Sequence, residues 1–203
     1  MSKRRFSAGG GGTVGFHPGS AVHGDRAVSA QRSGKGITQA RTTVESRTRL
    51  LVENTAGAGK TMGKTAQEVS DILAAVPKSL RGRTGPGRLP PPLITPGQQT
   101  TPAKKACHAV LYEFEKATGE PPSLFNLNGS EGELGSNRDR HVLIGDGRIG
   151  VPPFGWLMHD RRSDGIPLIL ETPQQNYEPA DDDNSPDPYD LKMMKLLEGW
   201  VKD

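Results

Sequence analysis

Two short apolar runs in this chain each finish on a single carboxylate: Arg49-Leu-Leu-Val-Glu53 and Ile166-Pro-Leu-Ile-Leu-Glu171. A strand buried on both faces reads as a continuous apolar run. One that ends on a charged residue is what a barrel strand looks like when its C-terminal end carries chemistry. Beyond Glu53, Thr65-Ala-Gln-Glu68 is a capping box, with the hydroxyl and carboxylate serving the first-turn amides. Val69, Ile72, Leu73 and Val76 then recur at helical spacing. Residues 49–76 therefore predict a strand–loop–helix unit, which places the chain in the α/β class.

A second constellation sits between these runs. Asp139 and His141 are one residue apart in a polar stretch. In extended backbone such residues point the same way, so the pair can grip one cation. Carboxylate plus imidazole is a usual ligand set for zinc. The competing reading is a solvated loop with no ligand.

Length and composition bound the architecture. A complete TIM barrel takes about 250 residues, and this chain has 203. Hydrophobic residues make up 33%, with 26 Gly and 17 Pro, so one domain with long irregular stretches is expected. The net charge of +3 permits a nucleic-acid partner without diagnosing one. One cysteine allows no disulfide framework and fits a reducing, intracellular compartment; nucleus and cytoplasm both stay open. No apolar run approaches the roughly 20 residues of a membrane span, and a monomer is expected.

Along the chain, residues 1–13 are basic and then Gly-rich, and are expected to be disordered. Residues 14–80 read as the first βα part of a barrel, although 21–48 show little periodicity. Residues 81–102 are a Pro-rich irregular segment that cannot be a central strand, because proline has no amide donor. Residues 103–203 form the C-terminal part. It holds a helix over 104–118 with Ala106, Val110, Leu111, Phe114 and Ala117 on one stripe, and strands at 123–127 and 166–170. A short helix is expected near 152–159, and a terminal helix over 190–202 presents Leu191, Met194, Leu197 and Val201. Cys107 is expected to pack as a small apolar residue, Phe154, Met158, Trp156 and Trp200 to pack in the core, and the acidic run 178–183 to be a solvated surface.

The blocks Ser130-Glu-Gly-Glu-Leu-Gly-Ser-Asn-Arg-Asp-Arg-His141, Ile144-Gly-Asp-Gly-Arg-Ile-Gly150 and Asp164-Gly-Ile-Pro-Leu-Ile-Leu-Glu-Thr-Pro173 closely resemble the C-terminal part of the endonuclease IV family. Phe16-His-Pro-Gly-Ser20 and Leu50-Leu-Val-Glu-Asn-Thr-Ala-Gly57 resemble two earlier segments of that family, in the family's order. The resemblance implies an incomplete TIM (β/α) barrel acting in base excision repair. The activity it implies is zinc-dependent hydrolysis of the phosphodiester 5′ to abasic sites in double-stranded DNA. It implies up to three Zn2+ ions, with His17 on the first, Glu53 bridging first and second, Glu171 on the second, and Asp139 with His141 on the third. Glu53 and Glu171 would be the carboxylates closest to the chemistry. Arg138 and Arg140, at the end of the loop that starts at Gly132, would meet the DNA backbone.

The chain departs from that pattern in three places. The proline tract stands where the family has Asp-Thr-Cys-His. The family's His-Leu-Asn-Asp becomes Asn126-Leu-Asn-Gly129. Nothing before residue 14 supplies the family's N-terminal strands or their His ligand. Each zinc position thus lacks a ligand, and impaired activity is expected. A non-catalytic remnant that binds DNA or a partner is the alternative, and a metal-dependent sugar isomerase-like barrel is a third reading. Cys107-His108 lies within a helix and does not replace the missing Cys-His. Gly57-Ala-Gly-Lys-Thr61 imitates a phosphate-binding loop, but Asn54 occupies the position of its first glycine.

Overall fold

Parallel strands flanked by helices account for most of the ordered chain. The computed structural model describes residues 12–43, 47–87, 101–133, 136–138, 140–173, 175 and 185–201. The expected disordered start, the acidic run 178–183, Asp139 and most of the proline tract lie outside the described residues.

Strand β1 (Thr13–Phe16) pairs in parallel with β2 (Arg49–Glu53), which pairs in parallel with β3 (Thr84–Gly87). Strand β4 (Phe125–Leu127) pairs in parallel with β7 (Leu168–Leu170). The Ser123 amide donates to the Pro86 carbonyl at 3.0 Å, tying the end of the first sheet to the approach of the second. Between β4 and β7 a two-residue ladder joins β5 (Gly129–Ser130) to β6 (His141–Val142) antiparallel, with Ser130 opposite His141.

Alternation along the strands separates two faces. Phe16, Leu50, Val52, Phe125, Leu127, Leu168 and Leu170 join the helix-side core. Gly15, Leu51, Glu53, Gly85, Gly87, Asn126 and Ile169 point the other way, onto what is called the inner face below. Glycine on both sides of β2 makes the room that Leu51 and Glu53 fill, and both are buried. A Cβ on Gly15 would come within 2.1 Å of the Glu53 carboxylate, and one on Gly87 within 2.8 Å of Leu51 Cβ.

The helices are α1 (Arg26–Thr43), α2 (Ala66–Ala74), the single turn α3 (Lys78–Arg81), α4 (Thr101–Thr118), α5 (Pro152–Met158) and α6 (Pro188–Val201). Helix α1 had little signal because its buried stripe is Ala30, Gly34, Ile37 and Arg41, with one large apolar side chain among four. Asp25 caps it by accepting from the Val28 amide at 3.0 Å. Gly34 lets it press on α2, since a Cβ there would stand 2.4 Å from Ala75 Cβ. Arg41 is buried, and its guanidinium donates to the Arg83 carbonyl.

Several expectations are corrected. Residues 84–87 are not irregular: they form β3 at the edge of its sheet, where a proline is tolerated. Helix α4 buries Cys107, Leu111 and Phe114, while Ala106 and Val110 are exposed, so the stripe is turned by about one position. Helix α6 buries Met193 and Leu197 and leaves Leu191, Met194 and Val201 exposed. The capping box is half formed. The Thr65 hydroxyl accepts from the Glu68 amide at 3.2 Å. The Glu68 carboxylate, however, accepts from the Gly63 and Lys64 amides and from Arg26. Cys107 is fully buried, Phe154 is in the core, and Trp156 and Trp200 pack as expected.

Candidate metal and nucleic-acid site

Three of the four candidate ligands within the described residues lie at or just past the C-terminal end of a strand, and the fourth, His141, opens β6. His17 follows β1, Glu53 ends β2 and Glu171 follows β7. In an open or closed α/β sheet those ends hold the ligand-binding face.

Two pairs come together. His17 Nε2 is 3.3 Å from Glu53 Oε2, with the imidazole half exposed and the carboxylate only 9% exposed. The space for that carboxylate is the missing side chain of Gly15. On the second pair, His141 Nδ1 is 2.9 Å from the backbone carbonyl of Glu171 and 3.9 Å from its Oε2. A carbonyl oxygen only accepts, so Nδ1 carries a proton and donates. Imidazoles that ligate metals are commonly fixed in this way. The same bond also occurs without any metal role at His159, whose Nδ1 lies 2.7 Å from the Gly155 carbonyl inside α5.

The ladder β5–β6 is joined by a segment that carries Arg138 and Arg140 just before β6. The Glu131 amide donates to the Arg140 carbonyl at 3.1 Å, and the Arg148 amide donates to Ser130 O at 2.7 Å, bracing the base of the hairpin. Arg148 also reaches Glu133 at 3.3 Å. Arg138 and Arg140 are both exposed.

The donor types fit a metal; the number does not reach a full set. Imidazole nitrogen and carboxylate oxygen are both taken by zinc, which uses four protein ligands in structural sites and three in catalytic ones. Among the described residues no three His, Cys, Asp or Glu side chains gather to hold an ion. Asp139, two residues before His141, lies outside them. Asn126, standing where an imidazole was sought, is 5% exposed, and its Oδ1 accepts no hydrogen bond.

One cluster escaped sequence reasoning. Asp160 is buried and accepts from the Arg162 side chain at 2.6 and 2.9 Å, from the Arg162 amide at 2.9 Å, and pairs with His108 Nδ1 at 2.5 Å. Burial works to raise its carboxyl, but the Arg162 hydrogen bonds and the His108 ring outweigh it and hold the group well below the usual carboxylate range. Burial pushes the neighbouring Cys107 thiol up to about 11, with the Asp160 charge adding to it, so it is a packed thiol and not a nucleophile. The only sequence signal was His108 itself, whose partner lies 52 residues away.

Comparison with known proteins agrees with the fold. The family model described as a xylose isomerase-like TIM barrel matches residues 105–196. The apurinic-apyrimidinic endonuclease of Caenorhabditis elegans is 36% identical over 129 residues, covering 63% of this chain and 32% of that protein. The endonuclease 4 homolog of Dictyostelium discoideum is 31% identical over 192 residues, covering 93% of this chain and 32% of that protein. The crystal structure of endonuclease IV from Thermus thermophilus superposes with a TM-score of 0.68 at 25% identity, covering 94% of this chain and 61% of that one. The chain spans about a third to a half of the length of the curated relatives it matches. With its strands and helices superposing on endonuclease IV over nearly the whole chain and its sequence similar to apurinic-apyrimidinic endonucleases, the chain is a relative of the endonuclease IV family with a xylose isomerase-like TIM barrel fold.

Proposed function

We propose that this protein acts in DNA repair as an apurinic/apyrimidinic endonuclease, hydrolysing the phosphodiester 5′ to an abasic site in double-stranded DNA. The observations that support it best are the pairing of His17 with Glu53 at the ends of β1 and β2 and of His141 with Glu171 just past β7. His17, Glu53, Asp139, His141 and Glu171 would hold the divalent ions, zinc in the first instance. When bound, such ions supply an activated water and neutralise charge on the phosphate and the leaving oxygen.

The chain's own residues do the rest. Gly15 leaves room for the Glu53 carboxylate beside β1. The Glu171 carbonyl accepts from His141 Nδ1 and so orients the ring. Arg138 and Arg140, exposed just before β6, take backbone phosphates.

The test is incubation of purified chain with an abasic duplex, zinc supplied, with and without chelator. Chelator-sensitive cleavage 5′ to the lesion is the expected result, and intact duplex with zinc present would refute the reading. A second reading, a DNA-binding protein without catalysis, is favoured by Asn126 and by the absence of a three-ligand group among the described residues. Tight, salt-sensitive binding of the duplex with no incision would select it. Metal-dependent turnover of an aldose would select a sugar isomerase instead. Among the described residues no helix is long and apolar enough to cross a membrane, and a DNA-containing compartment of the cell is the setting this function requires.

A further inference from the structure

Gly63 stands behind the first candidate pair. A Cβ there would come within 3.0 Å of the Glu53 carbonyl oxygen and 3.2 Å of the Pro18 ring. Pro18 follows His17, so one residue abuts the chain at both candidate ligands. Its φ of 87° lies in the left-handed region, where a side chain would add strain to the clash.

The loops that leave β1 and β2 are laced together through the same short stretch. After His17, the Met62 amide donates to the Gly19 carbonyl at 2.8 Å and the Ala21 amide to the Lys60 carbonyl at 2.8 Å. Ser20 and Thr61 form an antiparallel bridge between these bonds. After Glu53, the Thr55 amide donates to the Gly63 carbonyl at 2.9 Å and the Thr55 hydroxyl to the Met62 carbonyl at 3.0 Å. Residues 60–63 therefore support both loops.

One ion pair holds that support in place. The Glu68 carboxylate accepts from the Gly63 amide at 2.9 Å and from the Lys64 amide at 3.0 Å. Arg26 grips the same carboxylate with two prongs, Nη2 at 2.7 Å from Oε2 and Nε on Oε1. Arg26 Nη2 also donates to the Thr61 carbonyl at 2.8 Å. Burial works to raise the Glu68 carboxyl, but the Arg26 and amide hydrogen bonds outweigh it and hold it lowered. A forked, charge-assisted pair is stronger and more directional than neutral hydrogen bonds.

We propose that Arg26 and Glu68 are positioning residues for the candidate metal site: their ion pair fixes residues 61–64, and through these the loops that set His17 beside Glu53. The proposal rests on the metal-dependent reading above and adds the residues that hold its first ligand pair.

The test compares the full chain with R26M and E68Q, and with D160N as a control that removes a buried charge elsewhere in the fold. R26M leaves Glu68 its two amides and E68Q keeps an oxygen for them, so both should fold, which melting curves check. Zn2+ alone is titrated in competition with a chromophoric chelator. Its affinity is expected to fall about 10-fold in R26M and E68Q and to stay at the wild-type value in D160N. Amide hydrogen exchange without metal should quicken at Ala21, Thr55 and Met62, none of which bonds its amide to Arg26 or Glu68, while the core amides of α2 stay protected. Incision of the abasic duplex should lose kcat with KM unchanged. Wild-type zinc affinity in the folded variants, an equal loss in D160N, or unchanged exchange at the three amides would overturn the clamp, as would no zinc uptake by folded wild type. Should one variant unfold, the other decides. Zinc-supported incision untouched by either substitution removes the clamp and keeps the function. Zinc binding that depends on Arg26 and Glu68, with no incision, does the reverse.

Discussion

Gly15 and Glu53 make one unit at the scale of single residues. A methyl group on residue 15 would overlap the carboxylate, whose Oε1 lies 2.1 Å from the Cβ position. Because the obstructed atom is the end of a flexible side chain, G15A should swing Glu53 away from His17 with little loss of stability. An ångström of misplacement costs roughly 100-fold in rate. Incision by G15A is therefore expected to fall by about that factor while its melting temperature stays near wild type, and an equal fall in both would refute the positioning role. Glu53, His17, His141 and Glu171 were legible in the sequence because each stands at the end of an apolar strand or in a distinctive block. Gly15 was not, because a glycine in a strand shows what it makes room for only when the neighbouring strand is in register. Asn126 was visible as a departure, but its unmet oxygen is a property of the packed state.

Among elements, the helices were read well where their buried stripes are large and apolar, as in α2 with Val69, Ile72 and Leu73. They were misread where small or polar residues fill that stripe. Helix α1 meets α2 through Gly34 against Ala75, with the Cβ position 2.4 Å from Ala75 Cβ and 2.9 Å from its backbone carbonyl carbon. G34A should force the helices apart and cost about 1–3 kcal/mol, measured as a lowered urea midpoint at unchanged slope. A wild-type midpoint would show that the contact is slack. Strand β3 was missed because Thr-Gly-Pro-Gly has no apolar run; it is held by register with β2 and by its place at a sheet edge. The link from α4 to the turn after α5 runs through His108, Asp160 and Arg162. The Asp160 carboxyl is lowered in the folded chain from about 3.9 when unfolded. Its contribution to stability is thus complete above about pH 4 and is lost as pH falls toward the lowered native value. D160N should be less stable at pH 7 by about 1.5–3 kcal/mol and lose this part of the acid-side decline. Parallel stability–pH curves for the two proteins would refute the link.

For the whole molecule, the class of fold was readable from strand, capped helix and strand ends that carry charge, and the superposition on endonuclease IV agrees. What the residues did not reveal is which part of the inner face reaches solvent. Ile169 is 49% exposed there, while Leu51, Glu53 and Asn126 are buried. Nucleic-acid affinity on this side should come largely from the two exposed arginines just before β6. The double variant R138A/R140A is expected to weaken binding of an abasic duplex and to reduce the slope of log affinity against log salt by about 0.9 for each phosphate no longer neutralised. Fluorescence anisotropy across a salt series reads this directly, and an unchanged slope would move the DNA elsewhere on the surface.

The bond from His141 to the Glu171 carbonyl has a mechanical consequence. It rivets the base of the arginine hairpin to the end of β7, so the lever that grips a phosphate and the strand that presents a carboxylate share one pivot. A duplex pulling on Arg140 tugs on Glu171 through the neighbouring imidazole, and whatever rests on Glu171 stiffens the arginine segment in return.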